Sequence, residues 1–243
     1  MPALTAVVLP CLGLQPSLDA LLRAIPEPYM VFVVDDGSPT ALRANRGVLL
    51  RHPRNRGYGA AQKTGYQAAL DAGAERIVML HGDGQYDVED TLALASGLDR
   101  AHAVLGSRFQ PGQRQRVPGW RRWGIHGLTA AANLRFGAQF DDLHNGARAF
   151  QAQALRAVRF ETLSDDYRFD HQLLTALIRG GATMVQRPVA MRYDGDVLSI
   201  SFPRALRYGL GCLADLAAPR ALHTALPDPG LAKDPGLAKT KKS

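Results

Sequence analysis

The sequence predicts an α/β protein: a mainly parallel, doubly wound sheet flanked by helices, in a single domain. Three observations point there. Short apolar runs alternate with helical stretches through the first half, the signature of βα units. The 243 residues suit one large α/β domain, since single cores stop growing only at roughly 250 residues. Hydrophobic residues make up 46% and charged residues 21%, close to the globular average, which excludes wholesale disorder, collagen and coiled coil.

Residues 5–9, 30–34, 48–50, 77–80 and 103–105 read as buried strands, each an aliphatic run closed by polar or turn residues. Between them, 17–24, 40–45, 60–72 and 88–98 carry helix formers with apolar positions three or four apart, and Ser17 and Asp87 read as N-caps. Right-handed crossovers give the doubly wound layer, and ligands of such a sheet sit beyond the carboxyl ends of its strands. After Arg108 a Gly/Pro/Gln/Arg loop leads to a helix over 120–134, whose Trp120, Trp123, Ile125 and Leu128 suit a lipid interface and a core equally. A helix over 169–178, a strand over 183–191 and a helix over 203–216 follow. Arg204 and Arg207 stand in that last helix beside Leu206, Tyr208, Leu210 and Leu213, a pattern that fits a helix lying on a membrane or one packed on the domain. From Leu226 the motif AspProGlyLeuAlaLys occurs twice and cannot bury anything. The expected division is a domain over 1–222 and a disordered basic tail over 223–243.

Net charge is +7, and 24 of the 29 basic residues are arginine, the bidentate binder of phosphate. Residues 100–140 contain no Asp or Glu, yet carry Arg100, Arg108, Arg114, Arg116, Arg121, Arg122 and Arg135. Such a run is either a solvated basic face or an attractor for an anion: a sugar nucleotide, a lipid phosphate or nucleic acid. It lacks interleaved surface aromatics and any recognised nucleic-acid motif, so nucleic acid is not expected as a partner. Cys11 and Cys212 stand far apart in no metal-ligand spacing and read as small core residues of a reducing compartment. No apolar stretch reaches the roughly 18 to 20 residues of a spanning helix, and the first residues lack the basic flank of a signal peptide. The expected location is the cytoplasm, with peripheral membrane contact at most.

Four segments carry chemistry. Residues 31–38, ValPheValValAspAspGlySer, place Asp35 and Asp36 after a buried strand, where a ribose, a base edge or a metal would satisfy them. Residues 55–65, AsnArgGlyTyrGlyAlaAlaGlnLysThrGly, are glycine-rich and open a helix in the manner of a phosphate cradle, although they form neither a Walker loop nor a dinucleotide fingerprint. Residues 80–86, LeuHisGlyAspGlyGlnTyr, present Asp83 and Gln85 two positions apart; in extended chain their oxygens point the same way and can share one hard cation. His81 lies on that side too, able to ligate or to hydrogen-bond. Finally GlySerArg at 106–108 lets the Arg108 guanidinium reach a phosphate.

In this order, and followed by AspLeuHisAsnGlyAlaArgAlaPhe at 142–150, these motifs resemble family 2 glycosyltransferases of the GT-A fold over residues 4–217. Within the family the chain is similar to dolichol-phosphate and polyprenyl-phosphate mannose or glucose synthases, whose AspXXSerGlyXArg motif matches Asp142, Asn145, Gly146 and Arg148. The resemblance implies an inverting transfer from a GDP-, UDP- or dTDP-sugar to a polyprenyl phosphate at the cytosolic membrane face. It implies donor binding by Pro10, Val34, Asp35, Asp36, Gly82, Asp83 and Arg108, with Mg²⁺ or Mn²⁺ held by Asp83, Gln85 and His81, the last standing where the family has an acid. Asp83, Asp142 and Arg108 are the implied catalytic residues, and Arg121, Arg122 and Arg148 would meet the acceptor phosphate. Such an acceptor is already anionic, so positioning and electrostatics replace a strong base. A hydroxyl acceptor on a glycan or small molecule would instead need a carboxylate such as Asp142 to take the proton. A third reading is a nucleotide-binding protein of this fold without turnover.

Overall fold

The computed structural model describes residues 3–109, 119–191, 202–218 and 224–226. Arg114 and Arg116 of the basic run and residues 227–243 of the expected tail lie outside them.

The centre is β1 (Thr5–Cys11), whose alternating aliphatic side chains face two layers. Ala6 and Val8 join one core and Val7 and Leu9 the other, all fully buried. β2 (Met30–Asp35) and β4 (Arg76–Met79) flank β1 in parallel, and β3 (Val48–Arg51) lies outside β2. The sheet continues from β4 through β6 (Arg148–Gln151) and β5 (Ala103–Ser107) to β7 (Met184–Pro188). β6 runs antiparallel to both neighbours, whereas β5 and β7 are parallel. The architecture is the expected mainly parallel sheet with one reversed strand, and β1, β2, β4 and β5 all end at one edge.

On one face, α2 (Tyr58–Asp71), α5 (Ala152–Arg156) and α6 (Arg168–Arg179) cover the sheet through Tyr66, Leu155, Phe169 and Leu173. The other face is covered by α1 (Gln15–Ala24), α3 (Val88–Ala93) and a 3-10 segment at Leu94–Asp99, through Leu18, Leu22, Leu92 and Leu98. Two further helices, α4 (Gly119–Phe136) and α7 (Phe202–Ala217), pack on each other. Among the described residues no helix is long and apolar enough to cross a membrane.

Three expectations are corrected. No helix forms at 40–45, because side chains capture the backbone groups it would need: Asp35 Oδ2 accepts the Leu42 N–H at 3.1 Å, and Gln15 Oε1 accepts the Arg43 N–H at 2.8 Å. Ser17 lies inside α1, whose N-cap is Leu14 with a proline in the first turn; Asp87 does cap α3, accepting the Asp90 N–H at 3.0 Å. The helix expected over 88–98 tightens to 3-10 after Ala93, where Gly97 lies so close to β5 that a Cβ would sit 2.8 Å from Val104.

Candidate active site

The shared strand edge collects the motifs. Asp35, at the end of β2, is fully buried, and its oxygens accept the Ser38 N–H (2.8 Å), the Leu42 N–H and the Arg51 guanidinium (2.8 Å). Burial works to raise its pKa, but the hydrogen bonds from Ser38 and Leu42 and the Arg51 charge outweigh it and hold the carboxyl below the usual range. Asp36 accepts from His52 Nδ1 (2.6 Å) and from the backbone N–H groups of Arg56 and Gly57 (both 2.9 Å), while His52 Nε2 meets the Thr64 hydroxyl at 2.9 Å. The expectation that these acids lack partners without a ligand is therefore corrected. They organise the loops after β2 and β3 instead. Gly37, at φ +72°, separates this turn from Arg54, whose carbonyl carbon a Cβ would approach to 2.2 Å. Pro10 and Val34 are register partners in the β1–β2 ladder, and Val34 is fully buried, so it shapes the edge without offering its side chain.

The glycine-rich stretch is not a phosphate cradle. The Gly59 and Ala60 N–H groups at the start of α2 donate to the Asp165 carbonyl at 2.8 and 3.2 Å, and the Gly57 N–H donates to Asp36. The donors a phosphate would need are already taken. The glycines serve close approach: a Cβ on Gly57 would lie 2.4 Å from the Asp165 oxygen, and one on Gly59 2.6 Å from Phe169.

After β4 the chain turns at Gly82, which presses on β1 so closely that a Cβ would meet the Cys11 sulfur at 2.3 Å. The Cys11 thiol is pushed up to about 12, first by burial and then by the charges of Asp35 and Asp83, which places both carboxylates beside the end of β1. Asp83 Oδ1 accepts the Gln85 N–H at 3.0 Å. Its second oxygen and the Gln85 amide make no hydrogen bond among the described residues, and both side chains are half-buried. These uncommitted hard oxygens fit a divalent cation of the Mg²⁺ or Mn²⁺ kind.

Of the two roles the sequence left open to His81, ligating or hydrogen-bonding, the structure shows the hydrogen bond. Its Nε2 lies 2.9 Å from the Tyr58 hydroxyl, and its ring packs against Tyr58 at 5.3 Å and Tyr86 at 5.0 Å between centroids. A Cβ on Gly146 would come within 1.8 Å of that Nε2, so only glycine fits there. Burial, with help from the Arg148 and Arg108 charges and against those of Asp83 and Asp170, lowers its pKa and keeps the ring neutral. His81 is thus a packed pivot between the 80–86 and 142–147 loops, with Nε2 committed to tyrosine.

Arg108 and Asp142 form a buried, two-pronged ion pair: Nε to Oδ2 at 2.7 Å and Nη2 to Oδ1 at 2.9 Å, with the Arg108 N–H also 3.3 Å from Oδ2. Burial tends to raise the Asp142 pKa, but the Arg108 charge and hydrogen bonds prevail and keep it ionised. Arg108, expected to reach for phosphate, is paired here with Asp142, the matching carboxylate that a guanidinium only 7% exposed requires. Arg148 is buried and paired as well. It opens β6 at 2% exposure, with Nη1 2.8 Å from Asp170 Oδ1 and Nη2 donating to the Leu143 carbonyl at 3.3 Å, and so offers no surface charge to an acceptor. Arg121 and Arg122 lie in the first turn of α4; Arg122 is exposed, and the Phe109 ring centroid lies 5.8 Å from its guanidinium carbon and 5.7 Å from that of Arg108.

Sequence reasoning missed Tyr58, Tyr86 and Asp170. Tyr86 accepts the Gly146 N–H at 3.0 Å, and Asp170 accepts from Gln62 at 2.9 Å while facing Arg148. Tyr58 and Tyr86 stood inside the 55–65 and 80–86 motifs, which was the available signal; Asp170 gave none.

The fold is similar to that of solved structures of glucosyl-3-phosphoglycerate synthase from Mycobacterium tuberculosis. Its complex with uridine diphosphate superposes with a TM-score of 0.64 at 14% identity, covering 90% of this chain and 82% of that one. Its complex with Mn²⁺, uridine diphosphate and glucosyl-3-phosphoglycerate gives 0.61 at 14%, covering 88% and 79%. By sequence the chain is similar to an undecaprenyl-phosphate mannosyltransferase of Micrococcus luteus, 26% identical over 80% of this chain and 87% of the relative. It is also 31% identical to a UDP-N-acetylglucosamine–dolichyl-phosphate N-acetylglucosaminyltransferase of Methanococcus voltae, over 49% of this chain and 51% of the relative. The glycosyl transferase family 2 model matches residues 12–161, which span the Asp35, Asp83, Arg108 and Asp142 motifs, and with the GT-A sheet around them the chain belongs to that family of glycosyltransferases.

Proposed function

We propose that this glycosyltransferase moves a sugar, with inversion, from a nucleotide sugar to a polyprenyl phosphate at the cytosolic face of a membrane. The observation that carries the reading is the Arg108–Asp142 clamp. The one carboxylate of the 142–148 motif is buried, ionised and held on both oxygens, which suits it to fixing a loop and not to taking a proton. A phosphate acceptor needs no base: its anionic oxygen attacks the sugar C1, the C1–O bond to the diphosphate breaks, and the nucleoside diphosphate leaves with the electron pair.

Asp83 and Gln85 would hold a divalent cation, which when bound neutralises charge on the leaving diphosphate. Pro10 and Asp36 border the nucleoside end, Asp36 by fixing the 55–57 loop. Arg121 and Arg122 face the acceptor phosphate from the rim. The lipid reading draws support from α4 and α7. Trp123 is 80% exposed, and Leu206, Leu210 and Leu213 form an exposed stripe at helical spacing, with Arg122, Arg135, Arg204 and Arg207 also exposed on the same two helices. Aromatic and aliphatic side chains mixed with arginine suit an anionic lipid surface.

The test is product partition. Radiolabelled UDP-, GDP- and dTDP-sugars are incubated with Mn²⁺ and undecaprenyl or dolichyl phosphate. The expected label enters the organic phase and is released by mild acid, as an anomeric phosphate ester requires. Transfer only to 3-phosphoglycerate or a similar soluble phosphate would overturn the lipid acceptor, and an acid-stable glycoside would overturn phosphate acceptors altogether.

A further inference from the structure

Cys212 does not stand alone in the core. His144 in the 142–147 loop, His171 on α6 and Cys212 on α7 converge so that a ring nitrogen of each histidine and the Cys212 sulfur all lie within 4.8 Å of one another. His171 is 1% exposed and Cys212 0%. We propose that these three side chains bind one zinc-class ion, distinct from the cation of Asp83 and Gln85, which pins the 142–147 loop to α6 and α7.

The hydrogen bonds around the cluster prepare its lone pairs. His171 Nε2 lies 3.1 Å from the Cys212 carbonyl oxygen and must donate to it, so the ring lone pair resides on Nδ1, which is buried without a partner among the described residues. His144 Nδ1 lies 2.9 Å from the Tyr208 hydroxyl, and its Nε2 is likewise buried without a partner. With the Tyr208 hydroxyl oxygen accepting from Nδ1–H, the His144 lone pair falls on Nε2. A histidine whose second nitrogen donates to a protein oxygen is the usual outer support of a metal ligand. Two buried lone pairs left unmet cost stability that a bound ion would recover.

Charge state and geometry fit as well. Burial takes His144 down to about 3, helped by its neighbour His171, and takes His171 down to about 4 against the pull of Asp215; both rings are neutral, as ligands must be. Burial pushes the Cys212 thiol up to about 12, so ligation exchanges its proton for the ion: the S–H bond breaks, a sulfur–metal bond forms and one proton leaves to water. Tetrahedral zinc, with bonds of about 2.0 to 2.3 Å, draws its ligand atoms to roughly 3.5 Å apart, an approach of about 1 Å from the present spread. The imidazoles stack at 5.6 Å and 12°, so one ring turns about its Cβ–Cγ bond to converge with the other, a soft rotation. Two imidazoles and a thiolate favour zinc over Mg²⁺ or Mn²⁺.

Titration of the full chain with Co²⁺, the spectroscopic stand-in for zinc, tests the site without reading activity. One equivalent is expected to raise a sulfur-to-cobalt charge-transfer band. The band should disappear in Cys212→Ser, persist in Cys11→Ser and Asp83→Ala, and need at least tenfold more Co²⁺ in His171→Gln. Zinc should also raise the Tm of the unaltered chain, a shift lost in His144→Gln and His171→Gln, which keeps the question answerable if Cys212→Ser fails to fold. No band at all, a band that survives Cys212→Ser, or a zinc-induced Tm rise undiminished in both histidine variants would overturn the proposal.

Discussion

Asp83→Ala is expected to lower kcat/KM for sugar transfer by about two to three orders of magnitude while leaving Tm within about a degree of the parent. The first figure is typical for removing one preorganised group that stabilises charge developing in the transition state. The second follows from the contacts: the one hydrogen bond of Asp83 is a local turn from the Gln85 N–H on a half-buried loop, so no packing is lost. Release of nucleoside diphosphate, followed as Mn²⁺ is varied, gives the kinetic arm and calorimetry the other. Unchanged kcat/KM would remove Asp83 from the reaction, and a large fall in Tm would make it a structural residue.

Arg108→Met should do the reverse, acting first on stability. It leaves Asp142 buried, at 1% exposure, with its partner charge gone. Breaking a buried pair from one side costs about 3 to 5 kcal/mol, which for a domain of this size is a fall in Tm of roughly 6 to 20 °C. The pH dependence carries the signature. In the parent, the folded-state pKa of Asp142 is depressed, so the pair contributes stability above the ordinary carboxylate range and loses it as pH falls through the lower folded value. In the variant, burial acts unopposed by Arg108, the folded pKa rises above the unfolded one, and the penalty is relieved as pH falls through it. The Tm deficit at pH 8 should therefore shrink at pH 5. A deficit independent of pH would mean that Arg108 acts through packing and not through its charge.

The part of the fold written in local pattern was legible. β1, β2 and β4 are continuous aliphatic runs that no other element would bury so completely. β6 left no such trace: it is four residues, Arg-Ala-Phe-Gln, and begins with a charge that finds its carboxylate on α6. The site divides along the same line. The proximity of Asp83 and Gln85 was legible because their spacing within one loop sets their geometry. The protein partners of Asp35, Arg108 and Arg148 were not legible because they are distant in sequence: Arg108 meets an acid 34 residues away, and Asp35 an arginine 16 away. Residue type announces a charge; which neighbour neutralises it is a property of the fold. The His144–His171–Cys212 cluster was invisible for that reason, its members sharing no motif.

In the proposed reaction, the end of β4 holds a divalent cation for the nucleotide diphosphate through Asp83 and Gln85. Electron paramagnetic resonance of free Mn²⁺, titrated with the chain in the presence and absence of UDP or GDP, tests it most directly, since Mn²⁺ prefers oxygen ligands over the histidine–cysteine cluster. One Mn²⁺ is expected to bind per chain, tightly only when nucleoside diphosphate is present, with no such binding in Asp83→Ala. Binding that survives in Asp83→Ala, or no binding with any nucleotide, would contradict it.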